Sequence, residues 1–496
     1  PRIIGFLLVF ALFDYLFFYV AQVKIMSYAT PKPSSTKKRR HSTSPKFPDH
    51  VEMMVNTFVP PPSPNTDSIR LPTYECQLCD DAVQHSRKKL DEAAASYLAV
   101  SSSIKAGLIS TLPAKSNEDT LSYRCSCSFQ LLAPNELSMD EGEVGVDRGF
   151  RWAMRNNYEP VALRTKKFPV ALPRIQSGME ALLDVMNDDF STSRVFTDGL
   201  TGGTFSCSWN EEDLIVVLHY GAPICSTQDW TKEMNKVLEK CAFTSILGRS
   251  KKRVAVVGRE PPTLNDEIII MGDDDDDGEN VAVCYEKPEG AFFHPNGNTM
   301  HQALNWIQGA FRTISNDIGR KLRLFEMYCG CGAHTCALGM MKGIMEKIVA
   351  IEIDQRLVDA AERNIELNGL ESMVKVFQDD AARVGRVGGI ANYLKKKKLL
   401  DDSGGFDILL VDPPRSGLEE VVCSFAEKEV SIEWVVYVSC GKEALVRDLA
   451  RLETSFSVEK MVLTDLFPRT TSVETLVLLR RRRKSAGEEE KIGGIV

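Results

Sequence analysis

The chain has 496 residues, of which 43% are hydrophobic and 26% are charged, and its formal net charge is −8. This length allows about two to four domains, and the composition is that of an ordinary globular protein. Thirteen cysteines in so long a chain argue against a disulfide scaffold, which is typical of short secreted domains. The charges form blocks, which are interpreted either as solvated loops and tails or as part of a surface that binds nucleic acid. The acidic block is 273–277, and the basic blocks are 37–40, 395–398 and 480–484.

The first residues are hydrophobic. Ile3 to Val23 is about long enough for one membrane span and is interrupted only by Asp14. We favour an over-extended or processed amino end for residues 1–25, because Met26 opens a polar stretch, with a membrane anchor as the alternative. Residues 26–75 are rich in Pro, Ser, Thr and Lys and predict a disordered tail. The sequence leaves the compartment open.

Residues 76–290 predict a mixed α+β region. A helix is expected over 82–98, strands over 123–133 and 214–220, and an exposed acidic loop over 271–280. Cys76 and Cys79 have the spacing of a zinc knuckle, but Cys125 and Cys127 are too closely spaced to complete it. Reduced thiols without a metal are therefore expected.

From residue 291 onward, apolar runs alternate with helical segments. This alternation is typical of parallel βαβ units and predicts a Rossmann-like α/β domain over 291–481. Two closing runs, 457–466 and 472–480, predict an antiparallel hairpin at one edge, and 482–496 a charged tail. The five parallel strands are expected at 322–329, 347–354, 374–377, 406–411 and 434–440, with helices at 355–368 and 441–453.

A glycine-rich turn follows the first of these strands. Gly330 and Gly332 allow a ligand to approach the backbone, but Thr335 stands where a dinucleotide fingerprint has its third glycine. Glu352 ends the next strand, 20 residues past Gly332, where an acid typically binds ribose hydroxyls. A nucleoside ligand without a pyrophosphate fits this pattern, and S-adenosylmethionine is such a ligand. The alternative is a structural glycine turn with a surface acid.

Polar groups follow the last two parallel strands. Cys440 lies at the carboxyl end of its strand, where open α/β sheets bind ligands, and is either a nucleophile or a buried thiol. Two prolines between Asp412 and Arg415 make a rigid platform from which both side chains can bond a heterocycle, or else a plain turn. Arg415 replaces the aromatic residue expected for methylation of an exocyclic amine.

These groups suit methylation at carbon 5 of a pyrimidine. Carbon 5 is a poor nucleophile until a thiolate adds to carbon 6, and a base must later remove the carbon 5 proton. Cys440 would supply the thiolate. Glu474 is the only acid in the last strand pattern and is the candidate base, with an outward-facing strand acid as the alternative.

Together these motifs resemble the RNA (uracil-5-)-methyltransferase family, whose members modify tRNA or ribosomal RNA. The likeness covers 292–480 and rests on five motifs in the order of the family. They are Tyr328-Cys-Gly-Cys-Gly332, Glu352-Ile-Asp354 with Asn364 and Asn368-Gly369, Asp412-Pro-Pro-Arg-Ser-Gly417, Val438-Ser-Cys440 with Arg447-Asp448-Leu449, and Asp465-Leu-Phe-Pro468 before Val473-Glu474.

The resemblance implies a role for each matching residue. Cys440 corresponds to the nucleophile, Glu474 to the base, and Asp412 and Arg415 to residues that hold the uracil and the cofactor. Asp380 falls near the position that would contact the adenine. The implied S-adenosylmethionine contacts are Tyr328, Gly330, Gly332, Glu352, Asp380, Asp412 and His294.

Three residues depart from the family pattern. His294 stands in place of a glutamine, Gly441 in place of an asparagine, and Ser472 in place of a histidine. We expect a monomeric enzyme in which residues 76–290 recognise the RNA or another substrate. We favour tRNA over ribosomal RNA, because an exposed loop is easier to open than a stacked helix. A small-molecule methyltransferase and an inactive RNA-binding relative remain as alternatives.

Overall fold

The computed structural model describes residues 71, 74–100, 104–133, 149–156, 159–163, 165–188, 195–224, 226–251, 253–271, 280–398 and 405–483. The predicted segment 1–25, most of the predicted tail 26–75, most of the acidic loop 271–280 and residues 484–496 lie outside these ranges. No helix among the described residues combines the length and the apolar character that a membrane crossing requires.

The described residues form helices and strands in an order close to the prediction. The helices are α1 Ala82–Val100, α2 Pro173–Asp188, α3 Thr227–Cys241, α4 Gly297–Ile318, α5 Ala333–Gly339, α6 Gln355–Leu367, α7 Ala381–Gly385, α8 Ile390–Lys396, α9 Glu420–Lys428 and α10 Lys442–Leu452. The strands are β1 Ile109–Leu112, β2 Ser126–Leu132, β3 Arg151–Asn156, β4 Glu159–Ala162, β5 Leu200–Cys207, β6 Leu214–Tyr220, β7 Ser245–Ser250, β8 Arg253–Gly258, β9 Thr263–Ile270, β10 Val281–Pro288, β11 Leu322–Met327, β12 Met345–Glu352, β13 Val374–Gln378, β14 Ile408–Val411, β15 Trp434–Ser439, β16 Phe456–Thr464 and β17 Glu474–Arg481.

A seven-stranded sheet forms from the region before residue 260. Its order is β4-β3-β2-β5-β6-β7-β8, and every pair is antiparallel except β6 with β7. Helices α2 and α3 contribute to its core, in which Trp152, Phe205 and Trp230 are fully buried. The prediction of a mixed α+β region agrees with these elements.

The second large sheet has eight strands in the order β1-β16-β17-β15-β14-β11-β12-β13. All neighbouring strands are parallel except β17, which is antiparallel to both β15 and β16. Every residue of β11, β14 and β15 is buried, as expected for parallel strands that are covered on both faces. Helices α4, α5 and α6 pack in one core cluster, and α1 with α7 to α10 in another. This arrangement confirms the predicted Rossmann-like sheet and the antiparallel hairpin.

Three details differ from the sequence prediction. The hairpin is not at the edge, because β1 pairs with β16 outside it. Leu71 and Tyr74, at the end of the predicted tail, are buried in the core because their apolar side chains pack beneath the seven-stranded sheet. The β9–β10 pair, placed before residue 291, shares its core with α4 and the glycine-rich turn, since Ile268, Ile270 and Tyr285 pack there.

Candidate active site

The predicted chemical groups lie at one end of the eight-stranded sheet. Asp412 directly follows β14, and Cys440 directly follows β15. Glu474 is the first residue of β17, and the pairing of Ser439 with Thr475 places Cys440 and Glu474 next to each other across the antiparallel ladder. The sheet therefore brings together residues that are far apart in the sequence.

The Cys440 thiol is protonated in the free protein. Its side chain is half-buried, and burial raises its pKa to about 12. The negative charges of Glu474 and Asp412 contribute to this rise in pKa, whereas the positive charge of Arg415 opposes it. Since the thiolate is the nucleophilic form, the thiol must lose its proton when it reacts.

Glu474 and Asp412 are carboxyl groups with raised pKa values. Glu474 is 5% exposed, and its pKa is raised to about 8 by burial and, to a smaller extent, by the Asp412 charge, while Arg415 opposes the rise. Withdrawal from water raises the pKa of Asp412 to about 7. A carboxyl group with a pKa near neutrality can both accept and release a proton, which suits a general base.

The loop from Asp412 to Gly417, which we term the Pro-Pro loop, is held by Asp448. Asp448 belongs to one of the motifs that resemble the family, but no role was predicted for it from the sequence. Asp448 is fully buried on α10 and accepts hydrogen bonds from the Leu418 amide (2.7 Å) and the Tyr437 hydroxyl (2.9 Å). The neighbouring Arg447 donates to the Asp448 carboxylate (2.9 Å) and to the Ser416 carbonyl (2.7 Å). These bonds fix the platform that carries Arg415.

Gly441 leaves room for the backbone of that loop. A Cβ atom at Gly441 would lie 2.5 Å from the carbonyl oxygen of Arg415, a distance that real Cβ atoms essentially never show. The φ angle of Gly441, −124°, is open to any residue, so space rather than torsion selects glycine here. The departure from the family's asparagine therefore accompanies a close approach of two loops.

The glycine-rich turn is joined to the end of the next strand by Glu352. One Glu352 carboxylate oxygen accepts from the Gly330 amide (3.0 Å), and the other accepts from the amides of Ile353 (2.8 Å) and Asp354 (2.9 Å). Gly330 and Gly332 have φ angles of +57° and +84°, which glycine adopts without strain. Burial raises the pKa of Glu352, whereas its three amide donors lower it.

Tyr328 and Asp380 lie close to this turn. The Tyr328 hydroxyl donates to Glu419 (2.7 Å), just before α9, and its φ angle of +65° is unusual for a tyrosine. The Asp380 carboxylate caps α7 by accepting from the Ala382 amide (2.8 Å). The Asp380 charge contributes to the raised pKa of Tyr328. Both predicted cofactor contacts thus border the same end of the sheet.

Two histidines adjoin the site, the partly buried His294 and the buried His334, and the sequence predicted a role only for His294. Nδ1 of His294 lies 2.8 Å from the Asn296 carbonyl, while its Nε2 is buried and has no hydrogen-bond partner among the described residues. Nδ1 of His334 lies 4.0 Å from the Asp412 carboxylate. Burial lowers the pKa of each histidine to about 4, so both are neutral at physiological pH.

Glu326 is a second residue near the site that the sequence analysis missed. It is fully buried on β11 and accepts a hydrogen bond from the Thr335 hydroxyl (2.7 Å). Burial raises its pKa to about 8, and the Asp412 charge adds to this effect. The sequence signal was an acid inside a mostly apolar strand, followed by Thr335 in place of the third fingerprint glycine.

Comparison with known proteins agrees with this architecture. The family model for tRNA (Uracil-5-)-methyltransferase matches residues 146–482. A tRNA/tmRNA (uracil-C(5))-methyltransferase from Stutzerimonas stutzeri is 28% identical over 321 residues, which cover 65% of this chain and 80% of that protein. The protein of the same name from Aliarcobacter butzleri is 28% identical over 327 residues, covering 66% of this chain and 79% of that protein.

A solved structure shares the fold. The tRNA (uracil-54, C5)-methyltransferase of Pyrococcus abyssi, in complex with S-adenosyl-L-homocysteine, has a TM-score of 0.51 and 18% identity, and the match covers 80% of this chain and 84% of that one. The family model covers more than half of the present chain and includes the glycine-rich turn, the Pro-Pro loop, Cys440 and Glu474. The chain therefore belongs to the tRNA (uracil-5-)-methyltransferase family.

Proposed function

We propose that this protein transfers a methyl group from S-adenosylmethionine to carbon 5 of a uridine in tRNA. The observation that supports this proposal most strongly is the position of Cys440 beside Glu474, where β15 ends and β17 begins. A thiol and a carboxyl group on adjacent strands are the two groups that this reaction requires. The names of the curated relatives support tRNA as the substrate.

The residues at the glycine-rich turn suit the cofactor. Gly330 and Gly332 have no side chains, so a ligand can approach the backbone of the turn. Glu352 presents a carboxylate at the end of β12. Bound S-adenosylmethionine supplies an electrophilic methyl group. His294 adds a neutral imidazole whose Nε2 can accept a hydrogen bond, as the glutamine oxygen of the family would.

Cys440 begins the proposed reaction. Its sulfur bonds to carbon 6 of the uracil while the thiol proton leaves to water, and the ring electrons move to carbon 4 and its oxygen as an enolate. Carbon 5 then bonds to the methyl group, the bond from that methyl group to the sulfonium sulfur breaks, and S-adenosylhomocysteine leaves with the electron pair on sulfur. Arg415 favours the first step, because its positive charge lowers the pKa of Cys440. Asp412 and Arg415 hold the uracil edge.

Glu474 ends the reaction. Its carboxylate removes the proton from carbon 5, the carbon 5–carbon 6 double bond re-forms, and the bond from carbon 6 to sulfur breaks to release the Cys440 thiolate. The proton on Glu474 then returns to the thiolate or to water. The raised pKa of Glu474 makes its carboxylate a stronger base than an exposed glutamate.

A methylation assay tests the proposal. The protein is incubated with unmodified tRNA transcripts and labelled S-adenosylmethionine, and the RNA is digested to nucleosides. We expect 5-methyluridine at one position of the tRNA, none with Cys440→Ala, and none on a ribosomal RNA transcript. Label in a small molecule, in ribosomal RNA alone, or in no product would contradict the proposal.

A further inference from the structure

The loop that leads into Glu474 is held by hydrogen bonds along most of its backbone. This loop, residues 465–473, joins β16 to β17. Six consecutive carbonyl groups, from residue 465 to residue 470, accept hydrogen bonds. Their donors, in chain order, are Thr299 (3.3 Å), Asn296 (3.1 Å), Lys89 (3.0 Å), Tyr123 (3.1 Å), the amides of Glu75 and Cys76 (3.1 and 3.2 Å), and Lys89 again (2.7 Å).

Most of these donors come from one part of the chain. Lys89, Tyr123 and the amides of Glu75 and Cys76 lie within residues 75–123, which we term the amino-terminal anchor. The anchor precedes residue 146, where the match to the family model begins. A part of the chain outside the family match thus holds the loop before the candidate base.

Lys89 makes the most extensive contact. It is 8% exposed, and its ammonium group lies 2.5 Å from the Asp465 carboxylate and donates to the carbonyls of Phe467 and Thr470. Two of its three N–H groups donate to these carbonyls, and the Asp465 carboxylate balances its charge. A buried cation with these contacts joins positions 465, 467 and 470 of the loop and restricts the path of its backbone.

Tyr97 extends the anchor to the strand that carries Glu474. Its hydroxyl lies 3.0 Å from the Thr475 hydroxyl, and both side chains are 1% exposed. Thr475 follows Glu474 and pairs with Ser439, the residue before Cys440. The contact therefore lies at the point where the two candidate catalytic strands meet.

Arg469 is a residue of the loop itself, and its side chain contacts the anchor. It is 2% exposed, has a φ angle of +69°, and donates to the Thr120 hydroxyl (2.9 Å) and to the Gln77 carbonyl. A left-handed φ angle in a non-glycine residue persists only where the surrounding contacts hold it. The loop therefore adopts this path because the anchor supplies its partners.

We infer that Lys89 and Tyr97 are positioning residues that place Glu474 for removal of the carbon 5 proton. This inference rests on the proposed function. Neither residue belongs to the groups proposed above to hold the uracil or the cofactor. They act through the 465–473 loop and through Thr475, and their loss should slow the step that Glu474 performs more than the attack by Cys440.

The test compares Lys89→Met and Tyr97→Phe with wild type and with Lys88→Met, a control on the exposed face of the same helix. The measurements are kcat, KM for tRNA, and the fraction of protein bound covalently to ordinary tRNA on a denaturing gel. For Lys89→Met we expect kcat to fall at least about 10-fold, since small misplacements of a catalytic group have effects of this order. KM should change less, the covalent fraction should rise, and Tyr97→Phe should show a smaller change in the same direction.

A double variant separates positioning from a general loss of structure. In a Glu474→Gln background, Lys89→Met should have no further effect on the release of the covalent complex, because both changes act on one step. Additive effects, or a lower kcat without accumulation of the covalent complex, would overturn the inference. If Lys89→Met does not fold, Tyr97→Phe decides by the same criteria. Wild-type protein that makes no 5-methyluridine would instead overturn the proposed function.

Discussion

At the scale of single residues, the candidate site raises the pKa values of its thiol and of its carboxyl groups by removing them from water. Burial is the largest influence on the pKa values of Cys440, Glu474 and Glu326, and a nearby Asp412 charge raises each of them further. Arg415 is the opposing influence at Cys440 and Glu474. The sequence could suggest which residue types take part, but not these pKa values, since they depend on depth and on distant neighbours.

Glu474 should make the stability of the protein depend on pH. Its pKa in the folded protein, about 8, is above the ordinary 4.5, so the folded state binds this proton more tightly. Its contribution to the free energy of unfolding is complete below about pH 4.5 and is lost as the pH rises through about 8. As the pH rises from about 4.5 to about 8, the free energy of unfolding of Glu474→Gln should increase by at least about 1.4 kcal/mol relative to that of wild type. Denaturant unfolding at several pH values measures this gain.

The control for this experiment is Glu420→Gln, an exposed residue in the first turn of α9. Its stability relative to wild type should stay constant across the same range. The difference in free energy of unfolding between Glu474→Gln and wild type should grow as the pH rises. If it stays constant or shrinks, the result would contradict the burial of an acid at this position.

Gly441 should not tolerate a side chain. In Gly441→Ala the new methyl group meets the Arg415 carbonyl, so the loop must shift, and overpacking of this kind destabilises by about 1–3 kcal/mol. Methyl transfer should fall by at least about 10-fold, because Arg415 moves with the loop. Thermal unfolding and kcat check both effects. Gly309→Ala is the matched control, because no atom lies within 4 Å of a Cβ there and alanine favours a helix.

At the scale of secondary-structure elements, the strands that end at the active site were predictable from the sequence. Strand β1, which pairs with β16 just before the 465–473 loop, was not. The predicted strands 434–440 and 406–411 end within one residue of β15 and β14, since apolar runs stop where polar residues begin. By contrast, β1 is four residues long with alternating partial exposure, and nothing in its sequence distinguishes it from a loop. Its pairing with β16 joins residues about 350 positions apart, which no local pattern can indicate.

We expect Asp448 on α10 to hold the Pro-Pro loop in place. Asp448→Asn replaces a buried carboxylate that accepts from the Leu418 amide, the Tyr437 hydroxyl and Arg447. Hydrogen bonds to a charged group contribute about 1.5–3 kcal/mol, so we expect a loss of stability of this order and a lower kcat. Denaturant unfolding and the methylation assay measure the two effects.

Asp359→Asn is the control for this variant. Asp359 is exposed on α6 and accepts only a local bond from Gln355 (2.7 Å) among the contacts described for it. Pairs of this kind contribute about 0.2–0.5 kcal/mol, so the control should unfold close to wild type. Equal losses in both variants would show that Asp448 does not hold the loop.

At the scale of the whole molecule, the eight-stranded sheet and the amino-terminal anchor support a single site. The motifs of the sequence were sufficient to predict Cys440, Glu474, Asp412 and Arg415 as one group. Parallel strands end at the same edge of a sheet, and the antiparallel strand β17 begins there. The anchor could not be predicted in this way. Lys89 and Tyr97 lie on an ordinary helix, and their partners are close to 380 residues away in sequence.

The most direct test of the central claim is to trap the covalent intermediate. Wild-type protein is incubated with S-adenosylmethionine and tRNA that contains 5-fluorouracil, and peptides linked to the nucleotide are identified by mass spectrometry. Fluorine at carbon 5 leaves no proton for Glu474 to remove, so the enzyme should remain attached through Cys440. Cys440→Ala should form no adduct, and Glu474→Gln should form one even with ordinary uracil. An active wild-type enzyme that forms no adduct, or one attached through another residue, would contradict the account.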